Sequence, residues 1–155
     1  MPPWLTRGAV SAANDVAFLR RVVALLTSHG AEVVIFGGWA EELLGLTPPR
    51  GHGDVDLLCL ADDVATLDEL IEQAGLDEIA GKRFPHKRAF ELDGIMVELF
   101  LVQRDAGGWH TDFWGRVRHD WPATLSTELD GLPVATAATV LGYRAAHERL
   151  VLNGV

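Results

Sequence analysis

Two aspartates open an otherwise apolar stretch, Asp54-Val55-Asp56-Leu57-Leu58-Cys59-Leu60, and no other pattern constrains this chain as tightly. A run this short and this apolar reads as a buried strand over 54–60. On a strand, side chains two apart leave the same face, with Cα atoms roughly 6.5–7 Å apart. Two carboxylates placed in this way are costly to bury unless something cationic sits between them. Hard divalent ions such as magnesium take oxygen ligands of this kind and bridge them to substrate phosphates. Taken alone, the pair also fits a solvated strand end or a helix cap.

The surrounding sequence alternates helical and strand patterns. Val16, Leu19, Val22, Val23 and Leu26 fall at helical spacing, with Asn14 or Asp15 as cap and Gly30 as stop, which predicts a helix over 14–29. Val33 to Phe36 is a β-branched run ending at Gly37-Gly38, followed by helical residues 39–44 and a break at Pro48-Pro49. A helix is expected over 63–74. Strands over 88–92 and 95–102 flank Asp93-Gly94, a hairpin signal. Residues 103–122 show no clear period and hold Trp109, Trp114 and Trp121; Pro133-Val134 suggests a short strand and 136–152 a closing helix. The pattern is α/β (α+β): a short, mixed, twisted β-sheet flanked by helices. The 155 residues are expected to form a single domain, with a core over about 14–135 and the closing helix over about 136–153.

Composition narrows the partners. The chain is 48% hydrophobic and carries 13 Lys+Arg against 22 Asp+Glu, a net charge of −9. Such a charge repels a phosphate backbone, so no general nucleic-acid binding is expected, whereas a polycation or magnesium would be drawn in. Cys59 is the single cysteine, which leaves no disulfide framework. Residues 1–13 have no signal-peptide core, and no apolar run reaches the ~18 residues of a membrane span, so a cytoplasmic protein without membrane association is expected.

Three more elements carry chemistry. Glu98 interrupts Ile95-Met96-Val97-Glu98-Leu99-Phe100, where a charge needs either a partner or an outward-facing position. If its strand pairs with 54–60, Glu98 joins the two aspartates around a metal. Gly37-Gly38 at a strand-to-helix junction lets backbone amides approach a phosphate, and it also suits a plain tight turn. Arg50 and His52 precede the acidic pair: the guanidinium is placed to neutralise a triphosphate and the imidazole to hydrogen-bond a metal-ligating carboxylate, unless both belong to a solvated loop. Lys87-Arg88 reads either as a pair reaching a triphosphate or, as basic residues at a strand start usually are, as solvated, and the scattered histidines as surface or satisfied core groups. Trp109 and Trp114 are candidates for contacts to an acceptor or a base.

Together, Gly37-Gly38-Trp39-Ala40, then Arg50-x-His52-x-Asp54-Val55-Asp56-Leu57, then an acid in a later strand, resembles the nucleotidyltransferase superfamily built like the polymerase-β palm. The Gly-Gly-Trp-Ala and His-x-Asp-x-Asp elements are closest in motif to the aminoglycoside and lincosamide nucleotidyltransferases. The resemblance spans roughly residues 33–102. It implies the minimal nucleotidyltransferase fold and a magnesium-dependent adenylyltransferase. This would move a nucleoside monophosphate from an NTP, ATP, to a hydroxyl of a small-molecule acceptor and release pyrophosphate. It further implies that Asp54 and Asp56 bind two Mg²⁺, one shared with Glu98, which stands where relatives commonly carry Asp. Gly37 and Gly38 then match the turn that cradles the β- and γ-phosphates, with Arg50 and His52 beside the nucleotide.

The wider superfamily has Gly-Ser at the turn; the antibiotic-modifying branch shares this Gly-Gly. Residues 143–149 leave little room before Val155 for a C-terminal helical domain, so the acceptor pocket is expected from a partner subunit of a homo-oligomer or from the 103–122 tract. The alternative function is a nucleotidyltransferase-fold antitoxin or binding protein working with a protein partner, a group that usually keeps the Gly-Ser turn. Zinc hydrolysis is disfavoured because this stretch offers one histidine where such sites need several.

Overall fold

A computed structural model describes residues 13–152. Residues 1–12 of the N-terminal stretch read above as lacking a signal peptide, and the last residue of the expected closing helix, lie outside the described residues. Among the described residues, four helices and nine strands follow in chain order: α1 (Val16–Ser28), β1 (Glu32–Phe36), α2 (Gly37–Leu43), β2 (Asp54–Leu60), α3 (Val64–Gln73), β3 (Asp77–Glu78), β4 (Lys87–Leu92), β5 (Ile95–Asp105), β6 (Gly108–Phe113), β7 (Val117–Asp120), β8 (Ser126–Leu129), β9 (Leu132–Ala135) and α4 (Ala137–Leu152). A 3-10 turn, Ala80–Lys82, lies between β3 and β4. Among the described residues, no helix is long and apolar enough to cross a membrane.

Local signals explain most boundaries. Asp15 caps α1 by accepting the Phe18 amide at 2.8 Å, which leaves Asn14 free for another task. Gly30 turns the chain out of α1 with φ 83°. Asp93-Gly94 makes the β4–β5 turn with φ 52° and 81°, the pair of positive values that a tight hairpin turn of this hand requires. Asp130-Gly131 carries the same signal and the same conformation, φ 49° and 79°, and joins β8 to β9. The helix after β1 starts at Gly37, not Trp39, because Phe36 is still extended and serves as its N-cap.

The strands lie in the order β3-β4-β5-β2-β1-β9-β8, a mixed sheet. β1 runs antiparallel to β2, and β2 parallel to β5, with the chain between them crossing over through α3, β3 and β4. Residues 103–122 are not irregular. β5 continues to Asp105 and its last residues pair with β6, which in turn pairs with β7. The core fills both faces: Val55, Leu57, Val97 and Leu99 are wholly buried on one side, while Phe36, Leu58 and Phe100 alternate to the other.

The expectation of a solvated Lys87-Arg88 is corrected. Arg88 is 7% exposed; it binds Asp68 Oδ1 at 2.6 Å and the carbonyls of Phe84 and Lys87 at 2.8 and 3.0 Å. It fastens α3 to β4 and to the preceding loop, and it holds the Asp68 carboxyl below its usual range. Arg88→Ala should therefore cost about 1–3 kcal/mol in urea unfolding, the scale of charge-assisted bonds whose partly buried acceptors lose their donor. A loss under 0.5 kcal/mol would place the restraint elsewhere.

Candidate active site

The parallel register of β2 and β5 sets Asp56 opposite Glu98, and the antiparallel register of β1 and β2 sets Phe36 opposite Asp56. Directly paired residues share a face, so Phe36, Asp56 and Glu98 form one row across three strands, with Asp54 two residues along from Asp56. One carboxylate oxygen from each of Asp54, Asp56 and Glu98 lies within 4.8 Å of the other two. Glu98 is 8% exposed, so its carboxylate does not face outward.

Burial and like charge act together here. Burial first, then the neighbouring Asp54 and Glu98 charges and a hydrogen bond with Glu98, push the Asp56 carboxyl up to about 7. Burial, followed by the Glu98 charge, also raises Asp54. Two lysines oppose the crowding: Lys87 Nζ is 3.2 Å from Glu98 Oε2, and Lys82 Nζ is 3.9 Å from Glu98 Oε1. Asp56 Oδ1 is nonetheless buried with no hydrogen-bond partner among the described residues. An orphaned carboxylate oxygen inside a ring of three acids fits a hard divalent cation, which is satisfied by oxygen donors.

Gly37 is required at this point for two separate reasons. Its φ of 59° disfavours any side chain, and a Cβ there would overlap Asp56 Oδ2 and come within 2.9 Å of Asp56 Cβ. The start of α2 thus packs directly onto the half-buried Asp56. Gly38 faces the other way: a Cβ on it would lie 2.5 Å from Arg50 Nη2 and 3.2 Å from His52 Nδ1. Arg50 and His52 therefore cover the turn, and the guanidinium makes no hydrogen bond to any described residue.

His52 does not hold a site carboxylate, contrary to expectation. Its Nε2 pairs with Glu42 Oε1 at 2.9 Å, and its ring stacks on Trp39 at 4.0 Å. Glu42 also accepts the Arg50 amide at 3.0 Å; that bond, then His52, keeps its carboxyl below the usual range. Asn14 closes the circuit by accepting Trp39 Nε1 at 3.0 Å and donating to the carbonyls of His52 and Asp54 at 3.0 and 2.9 Å. Glu42 was not singled out from the sequence, and Asn14 only as a candidate helix cap. Only the Trp39-x-x-Glu42 spacing, which puts both side chains on one helix face, hints at them.

Trp109 and Trp114 have other work. Arg104 lies over the Trp109 ring at 4.9 Å, on β5 and β6. Trp114 Nε1 donates to the Leu150 carbonyl at 2.8 Å, and its amide to His86 Nδ1 at 3.0 Å. Burial and then Lys87 push the His86 imidazole down to about 4, so it stays neutral and able to accept that bond.

The sequence pattern of the aminoglycoside-2''-adenylyltransferase family matches residues 18–133. No curated protein matches by sequence. Among solved structures, ANT(2'')-Ia in complex with adenylyl-2''-tobramycin is 15% identical at a TM-score of 0.60, covering 86% of this chain and 76% of its own. The lincomycin-bound lincosamide antibiotic adenylyltransferase LnuA is 13% identical at a TM-score of 0.64, covering 81% of this chain and 82% of its own. At these identities the likeness is one of fold.

Two outcomes are expected from the geometry. Asp56 ordinarily titrates near 4 in an unfolded chain, and the folded state lifts it to about 7, so the native form binds the extra proton between these values. The stability this group contributes is full below about pH 4 and is lost as the pH rises through about 7. Metal-free thermal melts should thus show a falling Tm from pH 5 to 8, and Asp56→Asn should flatten that slope without lowering the Tm at pH 8. A large loss of stability in Asp56→Asn would make the carboxylate a structural group. Gly37→Ala should cost at least about 1 kcal/mol from the left-handed backbone alone, readable in denaturant titrations; a neutral result would mean that Asp56 yields freely.

Proposed function

The chain belongs to the aminoglycoside-2''-adenylyltransferase family, and on that premise we propose that it moves the adenylyl group of ATP to a hydroxyl of a cationic small molecule of aminoglycoside or lincosamide type, with release of pyrophosphate. The observation that carries this reading is the convergence of Asp54, Asp56 and Glu98 from two parallel strands beside the Gly37 turn.

In this reading Asp54, Asp56 and Glu98 hold two magnesium ions, which when bound neutralise the triphosphate and lower the pKa of the acceptor hydroxyl. The exposed Arg50 guanidinium, lying over Gly38, and the Gly37-Gly38 backbone take the β- and γ-phosphates. His52 acts through position: stacked on Trp39 and tied to Glu42, it fixes the loop that carries both Arg50 and Asp54. The acceptor oxygen attacks the α-phosphorus, the bond from that phosphorus to the bridging oxygen breaks, and the hydroxyl proton passes to the Glu98 carboxylate. Lys87 at 3.2 Å from Oε2 and Lys82 at 3.9 Å from Oε1 keep that carboxylate close to cations. The net charge of −9 favours a cationic acceptor over an anionic one.

The test is magnesium-dependent pyrophosphate release from ATP across a panel of aminoglycosides and lincosamides. Glu98→Gln keeps the side-chain size and removes the charge. Single-turnover transfer should fall at least about 100-fold, the usual scale for a lost general base, while ATP binding survives. Wild-type rates in Glu98→Gln would remove it from catalysis. No transfer by the parent protein to any member of the panel would overturn the proposed reaction.

A further inference from the structure

Lys87 brings a cation to one of the three acids, and the reaction above gives it no task. The register of β4 and β5 sets Lys87 opposite Phe100 and only Ala89 opposite Glu98. From there the side chain reaches one pair along the strand, and its ammonium meets Glu98 Oε2 at 3.2 Å. Its backbone exchanges two hydrogen bonds of 3.1 Å with Phe84. Its Nζ lies over the Phe84 ring at 5.4 Å and the Phe100 ring at 5.3 Å, within the range of cation–π attraction. The side chain is 13% exposed, and Glu98 is its one ion-pair partner among the described residues. An ammonium held in this way is costly to part from its carboxylate.

Glu98 therefore has a cation before any metal arrives. Charges of +1 and +2 that share one carboxylate, about 6 Å apart, repel by roughly a factor of ten in affinity even at the dielectric constant of water. Lys82, on the 3-10 turn and 44% exposed, adds a second, more solvent-screened charge of the same sign 3.9 Å from Oε1. A triphosphate reverses the balance, because its negative charge attracts the metal and the lysines alike. On the functional reading above, in which Asp54, Asp56 and Glu98 are metal ligands, we propose that Lys87 is the resident counter-cation of the empty site. It satisfies Glu98 while the site is empty and keeps free divalent cations out. Magnesium then enters with the triphosphate, not ahead of it.

Mn²⁺ stands in for magnesium in the test, titrated into nucleotide-free protein in low-salt buffer and followed by electron paramagnetic resonance. Lys87→Met keeps an unbranched apolar stem and removes the charge. It should bind Mn²⁺ at least about 10-fold more tightly than wild type. Lys87→Arg keeps the charge and should show wild-type affinity. Lys82→Met, at an exposed position, should tighten binding by a smaller but measurable factor. With a chelator present, Lys87→Met should melt below wild type and recover the difference when Mn²⁺ is added in excess, because Glu98 has lost its partner. Equal Mn²⁺ affinity in wild type and Lys87→Met would overturn the inference. So would equal tightening in Lys87→Arg, which would assign the effect to packing and not to charge. If Lys87→Met does not fold, Lys82→Met decides alone, and wild-type affinity there overturns the inference. Wild type that binds neither Mn²⁺ nor magnesium–ATP, with the variants alike, would instead overturn the reading of the acids as metal ligands.

Discussion

Three carboxylates crowded onto one face of a parallel strand pair are the constraint on which the rest of this structure depends. Coulomb repulsion and burial both oppose the arrangement, and the lifted Asp56 carboxyl records that opposition. What holds the acids together is the opposite face of the same strands. Val55, Leu57, Val97 and Leu99 are wholly buried there, and a slip of one residue would turn them outward and carry the acids into the core. Hydrophobic burial sets the register, and the register sets the distance between the charges. Lys87 and Lys82 relieve part of the repulsion at Glu98, on the side away from Gly37.

The second requirement is that a backbone turn reach the half-buried Asp56. Gly37 meets it by lacking a Cβ where Asp56 sits, in a conformation that other residues resist. Such close approach is useful only if the loop leading into β2 keeps its place. That loop is held by side chains that do no chemistry themselves: Trp39 under His52, Glu42 between His52 and the Arg50 amide, and Asn14 across two carbonyls. The result places one guanidinium, Arg50, over the turn while its neighbours are fixed.

A third layer closes the row at its β1 end. Phe36, Phe100, Phe113, Trp121 and Tyr143 pack as a continuous set of rings, with Phe113 from β6 and Trp121 from the residue after β7. The turn of that ribbon puts Trp114 at φ 61°, an unusual backbone for a large side chain. Its amide bond to His86 and its indole bond to the Leu150 carbonyl hold it there and join the ribbon to the far end of α4. The helix that bears Tyr143 is thus held at its middle, to α2 through Arg144, and at its far end, to the ribbon through Trp114.

Much of this was legible in the sequence, for local reasons. Alternation in 54–60, the misplaced charge at 98 and the glycines at 37–38 are short-range patterns, and each reflects a physical cost that needs a partner. The helices and the Asp93-Gly94 hairpin follow from periodicity and turn chemistry in the same way, and Asp130-Gly131 was equally readable. Three features were not. The strands of 103–122 pair across a turn led by Trp114, a residue whose own preference argues against a turn. Arg88 reads as a surface charge until α3 brings Asp68 over it, and His52 reads as a ligand of the acids until Glu42 takes its nitrogen. The sequence by itself determined which residues cannot be buried alone, because that cost belongs to each side chain. Which of them meet was decided by the tertiary structure, since Asp56 and Glu98 lie far apart in the chain and only the parallel crossover, fixed by the hydrophobic faces, sets them side by side.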